Sequence, residues 1–267
     1  MNITISDKND LQKAKYILEN PGIAAKITNF IGTPIEKGFE KLPENWQEKI
    51  GTIAQKSLLK AAETAILTID GNSIVEPSNK WHKIGVATSG GVGGFFGISA
   101  LALELPISTT IMLRSIADIA RSQGEPIDEL ESKLACIEVF ALGGKSKSGD
   151  ATESGYFGVR SVLAKSISET IENLTKKTTT KKATPALMKY LAKVAEKFGV
   201  QISEKAAAQA LPIIGAAGGV LINTIFIEHF QDMAKGHFTV RRLERIYGKE
   251  LIEKTYAGLE MKEVKNS

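Results

Sequence analysis

Residues 84–103 read IGVATSGGVGGFFGISALAL, and residues 206–227 read AAAQALPIIGAAGGVLINTIFI. Neither stretch carries a charge, and each approaches the roughly 20 apolar residues that a bilayer-crossing helix needs. Both set glycines four apart: Gly90 with Gly94, Gly93 with Gly97, and Gly215 with Gly219. On a helix that spacing makes a flat stripe against which another backbone can nest. Each helical glycine costs about 1 kcal/mol relative to alanine, so a neighbour must hold such a helix in place. Gly, Ser and Thr dilute the first stretch, and Gln209, Pro212 and Asn223 interrupt the second. Insertion into lipid is therefore marginal. The expectation is two glycine-rich apolar helices packed at the centre of the body and able to engage a bilayer. An integral two-span protein is the alternative.

Outward from these stretches, the punctuation is helical. Asn20-Pro21, Thr33-Pro34 and Leu42-Pro43 put proline where a first helical turn tolerates a missing N–H. Trp46, Ile50, Ile53, Leu58, Ala61 and Ala65 then recur near the helical period up to about Ile69. Further helices are expected from Pro106 to Gln123, from Ile127 to Leu142, and from Ser154 to about Lys177. Another should run from Thr184-Pro185 to Gly199, and a further one over Ile213–Lys235, with shorter ones within Val240–Met261. No window alternates apolar and polar residues between hairpin turns. The fold class is all-α, a single compact multi-helix domain. Residues 1–45 read as an N-terminal helical extension, 46–256 as the main helical domain, and 257–267 as a flexible tail. Lys145–Glu153 and the basic run Lys176–Lys182 read as mobile loops.

Composition narrows the function. The 267 residues are 43% hydrophobic with a net charge of only +4, too weak to argue for nucleic acid when only 6% are aromatic. A lone Cys136 excludes a disulfide framework. Met1–Asp10 lacks the pattern of a secretory signal, so the expected location is cytoplasmic, peripherally associated with membrane. GVGGFFG is not followed by Gly-Lys-Ser/Thr and no strand precedes it, so nucleotide binding is not indicated. Neither HExxH nor G-x-S-x-G occurs, and no cofactor, metal or catalytic residue is assigned.

The polar residues form two ridges. After Pro106, Thr110, Arg114, Asp118 and Arg121 share a helix side, and Arg114–Asp118 has the spacing of an ion pair. Glu104 needs a partner from elsewhere if buried. The second ridge is Glu228, Asp232 and Lys235, with His229 about 100° around the helix, followed by His237 and by Arg241, Arg242 and Arg245 on a next helix. Bringing the ridges together would gather Glu104, Glu228 and Asp232 near Arg114, Arg121, Arg241 and Arg242. That constellation could be structural ion pairing, a pocket for an anion or lipid head group, or an acid/base pair.

GVATSGGVGGFFG (85–97), LALELPISTTIMLRSIADIARSQGE (101–125), LACIEVFALGG (134–144) and LPIIGAAGGVLINTIFIEHFQDMAKGHFTVRRLERIYG (211–248) together resemble the EcsC family of bacterial proteins. The resemblance implies an all-helical, membrane-associated protein and transfers no catalytic residue. It suggests a non-enzymatic lipid- or membrane-binding role, accessory to transport or secretion. Membrane lipid and a membrane transporter are the expected partners, and nucleic acid is not. The alternatives are a lipid-directed hydrolase or transferase using Glu104, Glu228 and His229, and an accessory subunit of an ABC-type exporter.

Overall fold

A computed structural model describes residues 3–20, 22–68, 97–144, 155–176, 184–211 and 215–261. Among these residues there are ten α-helices, in order: α1 (Ile5–Glu19), α2 (Ile23–Ile31), α3 (Glu36–Phe39), α4 (Trp46–Thr68), α5 (Gly97–Ser122), α6 (Leu130–Glu138), α7 (Tyr156–Lys176), α8 (Pro185–Gln209), α9 (Gly215–Tyr247) and α10 (Lys249–Gly258). A 3-10 turn, Val139–Ala141, extends α6. No strand occurs among the described residues.

Local chemistry sets the helix ends. The Thr4 hydroxyl accepts from the Asp7 amide at the start of α1, and the Thr184 hydroxyl accepts from the Leu187 amide ahead of Pro185 on α8. Gly124 and Gly143 turn the chain with φ of 76° and 75°, left-handed values that a side chain resists.

Packing is organised around α9, 33 residues and about 50 Å long. It runs against α1, α5, α2, α8 and α10, while α8 also packs on α4 and α7, and α4 pairs with α5. On α8, Leu187, Tyr190, Leu191, Val194, Phe198 and Ile202 repeat at helical spacing and are all buried. The centre belongs to the short α6 segment: every residue from Leu134 to Leu142 is buried. Phe140 lies 5.0 Å from Phe198 on α8 and 5.1 Å from Phe230 on α9, ring centre to ring centre. These tilted aromatic contacts each add about 1 kcal/mol beyond area burial. Residues 1–45 contribute Leu11, Leu18, Ile23, Ile27 and Ile35 to this same core.

Several boundaries differ from the sequence expectation. Pro106 stands inside α5, which already begins at Gly97. Gly199 lies within α8 rather than ending it. Helix α9 runs on to Tyr247, so Arg241, Arg242 and Arg245 share a helix with His229 and His237. The apolar stretch 206–227 is not one continuous helix, because α8 ends at Gln209 and α9 starts at Gly215. Leu211-Pro212 explains the break, since a residue before proline avoids the helical region. Among the described residues no helix is long and apolar enough to cross a membrane.

Gly90, Gly93 and Gly94, the loop Lys145–Glu153 and nearly all of Lys176–Lys182 lie outside the described residues. Gly97 and Gly215 open α5 and α9. A Cβ on Gly219 would meet nothing within 4 Å. Among the described residues, close approaches fall on other glycines. A Cβ on Gly38 would collide with the Ala207 carbonyl, and one on Gly236 would come within 2.7 Å of Leu18. Gly38 thus brings α3 close against the Ala206–Ala208 run of α8, a small-on-small contact on residues other than the glycine pairs read from the sequence.

Candidate functional site

A buried polar cluster lies where side chains from the second half of α9 meet those of α6 and α7. His237, Arg241, Glu244 and Arg245 recur at helical spacing on one side of α9. Arg160 of α7 forms a two-pronged ion pair with Glu244, Nη1 to Oε1 at 2.7 Å and Nη2 to Oε2 at 2.9 Å. Glu125, in the turn between α5 and α6, receives Arg241 through Nε and Nη2, both at 3.1 Å. It also accepts from the Ser132 hydroxyl and from Arg245. Paired guanidinium–carboxylate forks of this kind are the strong form of the hydrogen bond.

Inside this shell sits a chain of three groups. The Tyr156 hydroxyl and His237 Nδ1 are 2.9 Å apart, and His237 Nε2 faces Glu138 Oε2 at 3.8 Å. Glu138, His237 and Tyr156 are 3%, 0% and 3% exposed. Burial pushes the Glu138 carboxyl up to about 7, against the pull of Arg160 and Arg241. Burial likewise holds His237 well below its usual range, reinforced by Arg160 and Arg241, so the ring is neutral. His237 Nε2 has no hydrogen-bond partner, and a protonated Glu138 is the nearby group able to supply one. An acid, an imidazole and a phenol in series can pass or hold a proton. Closed off from solvent, they join α6, α7 and α9 rather than face a substrate. Tyr190 tightens the same region by donating to the Leu134 carbonyl at 2.8 Å.

The ridges inferred from sequence do not converge. Glu104 finds its outside partner in Lys205 of α8, 2.8 Å away, with the two side chains 7% and 1% exposed. Lys205 Nζ also stands 4.8 Å above the Phe226 ring. Asp118 pairs with Arg121 at 3.0 Å instead of with Arg114, and Arg114 makes no ion pair among the described residues. Asp232 meets Lys26 of α2 and Lys235, both at 3.3 Å. Glu228 is exposed. Arg242 reaches Asp10 of α1 at 2.7 Å, whereas Arg241 turns inward to Glu125. His229 is wholly buried beside Gly143; its ring nitrogens make no well-formed hydrogen bond, although the Leu142 backbone lies close enough to favour the charged ring. Burial, with Lys26 nearby, holds it down at about 3. The trio Glu104, Glu228 and His229 is thus split between an ion pair, the solvent and the core. Among the described residues no three His, Cys, Asp or Glu side chains are placed to hold a metal.

Sequence reasoning passed over Glu138, Tyr156, Arg160, Glu125, Glu244 and Lys205. Two of them had a readable signal. Glu138 is the single charge in the run from Leu134 to Leu142, and Lys205 is the last charge before an alanine-rich segment. A lone charge in an apolar stretch demands a buried partner.

Compared with known proteins, residues 7–243 match the family model described as the EcsC protein family. No curated protein and no solved structure matches the chain.

Proposed function

Because the chain belongs to the EcsC protein family, we propose that it is a non-enzymatic protein that binds lipid at a membrane surface from one side. The observation carrying this reading is an uncovered aliphatic pair on α5: Leu103 is 78% exposed and Ile107, one turn on, is 54% exposed. Val220 of α9 is exposed too. Gln231 donates to Ser115, and Arg241 to Glu125, so α5 and α9 advance in parallel. Eleven residues, about 16 Å, back from Ser115 and Gln231, this parallel course leads toward Glu104 and Val220 at the same end of both helices. Three aliphatic side chains moved from water into an acyl layer contribute on the order of 5 kcal/mol, a reversible surface attachment rather than an insertion. The net charge of +4 favours anionic lipid.

Co-sedimentation with anionic vesicles at low salt tests this. The native protein pellets with vesicles, and Leu103→Glu with Ile107→Glu weakens binding at least tenfold without altering helicity. A native protein that stays in the supernatant, and that carries no lipid detectable by mass spectrometry when purified from membranes, overturns the reading.

A further inference from the structure

We propose that the cleft between α1 and the far ends of α5 and α9 is a binding site for a small zwitterion, one molecule carrying both an ammonium and an anionic group. The cleft has a volume of about 360 Å³ and is lined by Asp10, Ser122, Gln123, Thr239 and Arg242. That volume lies near the lower end of the roughly 300–1,000 Å³ typical of ligand sites. No aliphatic or aromatic side chain lines it, so its chemistry suits a polar guest and not an acyl chain.

The wall is itself an ion pair. Arg242 Nη2 meets Asp10 Oδ2 at 2.7 Å, with the side chains 31% and 38% exposed. The pair uses one guanidinium nitrogen, Arg242 Nη2, and one carboxylate oxygen, Asp10 Oδ2, which leaves Arg242 Nη1 and Asp10 Oδ1 for a guest. Asp7 adds negative charge behind the pair, its carboxyl held low by hydrogen bonds from Tyr247 and Thr4 and by the charge of Arg242. Asp7 and Asp10 stand on α1, while Arg242 and Arg245 come from α9, and Arg245 Nη2 donates to the Gln123 carbonyl at 2.6 Å.

Charge balance selects the guest. A simple anion docking on Arg242 would face Asp10, and a simple cation on Asp10 would face Arg242. Either leaves a like-charge contact beside the guest, the repulsive half of specificity. A guest with one charge of each sign pairs with both walls, and Gln123 and Thr239 can then fix its orientation. Two sources share this chemistry: a free amino acid, and the ethanolamine phosphate group of a lipid. The cleft lies beside Ser122, 19 residues and about 28 Å along α5 from Leu103. It therefore stands or falls apart from the surface attachment proposed above.

The test is a titration of the full chain, followed by calorimetry and by amide shifts, with glycine, glycerophosphoethanolamine, inorganic phosphate and ethanolamine as separate probes. Vesicles containing phosphatidylethanolamine form a further arm. At least one zwitterionic probe, free or in vesicles, is expected to bind with a dissociation constant on the order of 1 mM. Phosphate and ethanolamine alone should bind at least tenfold more weakly. Asp10→Asn and Arg242→Gln should each abolish binding, and Gln123→Ala, which leaves the ion pair intact, should weaken it severalfold. Binding only in the vesicle arm, lost in Asp10→Asn, assigns a lipid guest. Binding of a free probe assigns a soluble one. Phosphate binding as tightly as either zwitterion, zwitterion binding indifferent to Gln123→Ala and Asp10→Asn, or no binding in any arm overturns the proposal.

Discussion

Replacing Glu138 by glutamine removes a proton-binding group from the centre of the protein while keeping its shape. The carboxyl titrates at about 7 in the folded chain against an ordinary 4.5. A folded pKa raised above the unfolded one means that the stabilising contribution is complete below the unfolded value and is lost as pH rises through the folded one. Between pH 4.5 and 7 the unfolded chain releases this proton and the folded chain keeps it, so stability falls. The displacement from 4.5 to about 7 corresponds to about 3 kcal/mol in full. Most of it, about 2–3 kcal/mol, falls between pH 5 and pH 8. Glutamine does not titrate. The stability of Glu138→Gln minus that of the native chain should therefore rise by about 2–3 kcal/mol over this range. His229 and His237 are present in both proteins, so their titrations cancel in the difference. Urea unfolding followed by circular dichroism at five pH values, with the slope against urea checked for constancy, measures it. A difference that stays flat within about 0.5 kcal/mol, or that falls with pH, would show that Glu138 is ionised in the fold, and the buried proton chain would lose its basis.

His229→Gln tests the opposite limb. The ring is held at about 3 when folded against 6.5 when unfolded, so its contribution is present above 6.5 and is lost as pH falls toward 3. The native chain should lose about 2 kcal/mol from this group between pH 7 and pH 5, and the variant should not; equal acid slopes would refute the assignment. Gly143→Ala should destabilise by at least about 2 kcal/mol, combining a left-handed backbone with overpacking. A Cβ there would sit 2.6 Å from the His229 ring. A midpoint in urea unchanged from the native chain would contradict that geometry.

Membership of an all-helical fold was legible because helix formation is governed by neighbours in sequence. Periodic apolar residues, the Thr184-Pro185 cap and the Gly143 stop carry their meaning within a few positions, and α8 and α6 follow from them. Errors at Pro106 and Gly199 have one cause. Both residues are breakers by propensity, yet tertiary packing along a long helix offsets about 1 kcal/mol for glycine and about 3 kcal/mol for proline.

Read from residue order alone, Glu104 required an outside partner if it were buried. Packing in three dimensions made that partner Lys205, 101 positions away, and set Glu125 on Arg241, 116 positions away. It also decided that Glu138 meets His237. A charged side chain's needs are written in its own burial. Which opposite charge answers them depends on how far one helix slides along another, and that offset is set by the whole core at once.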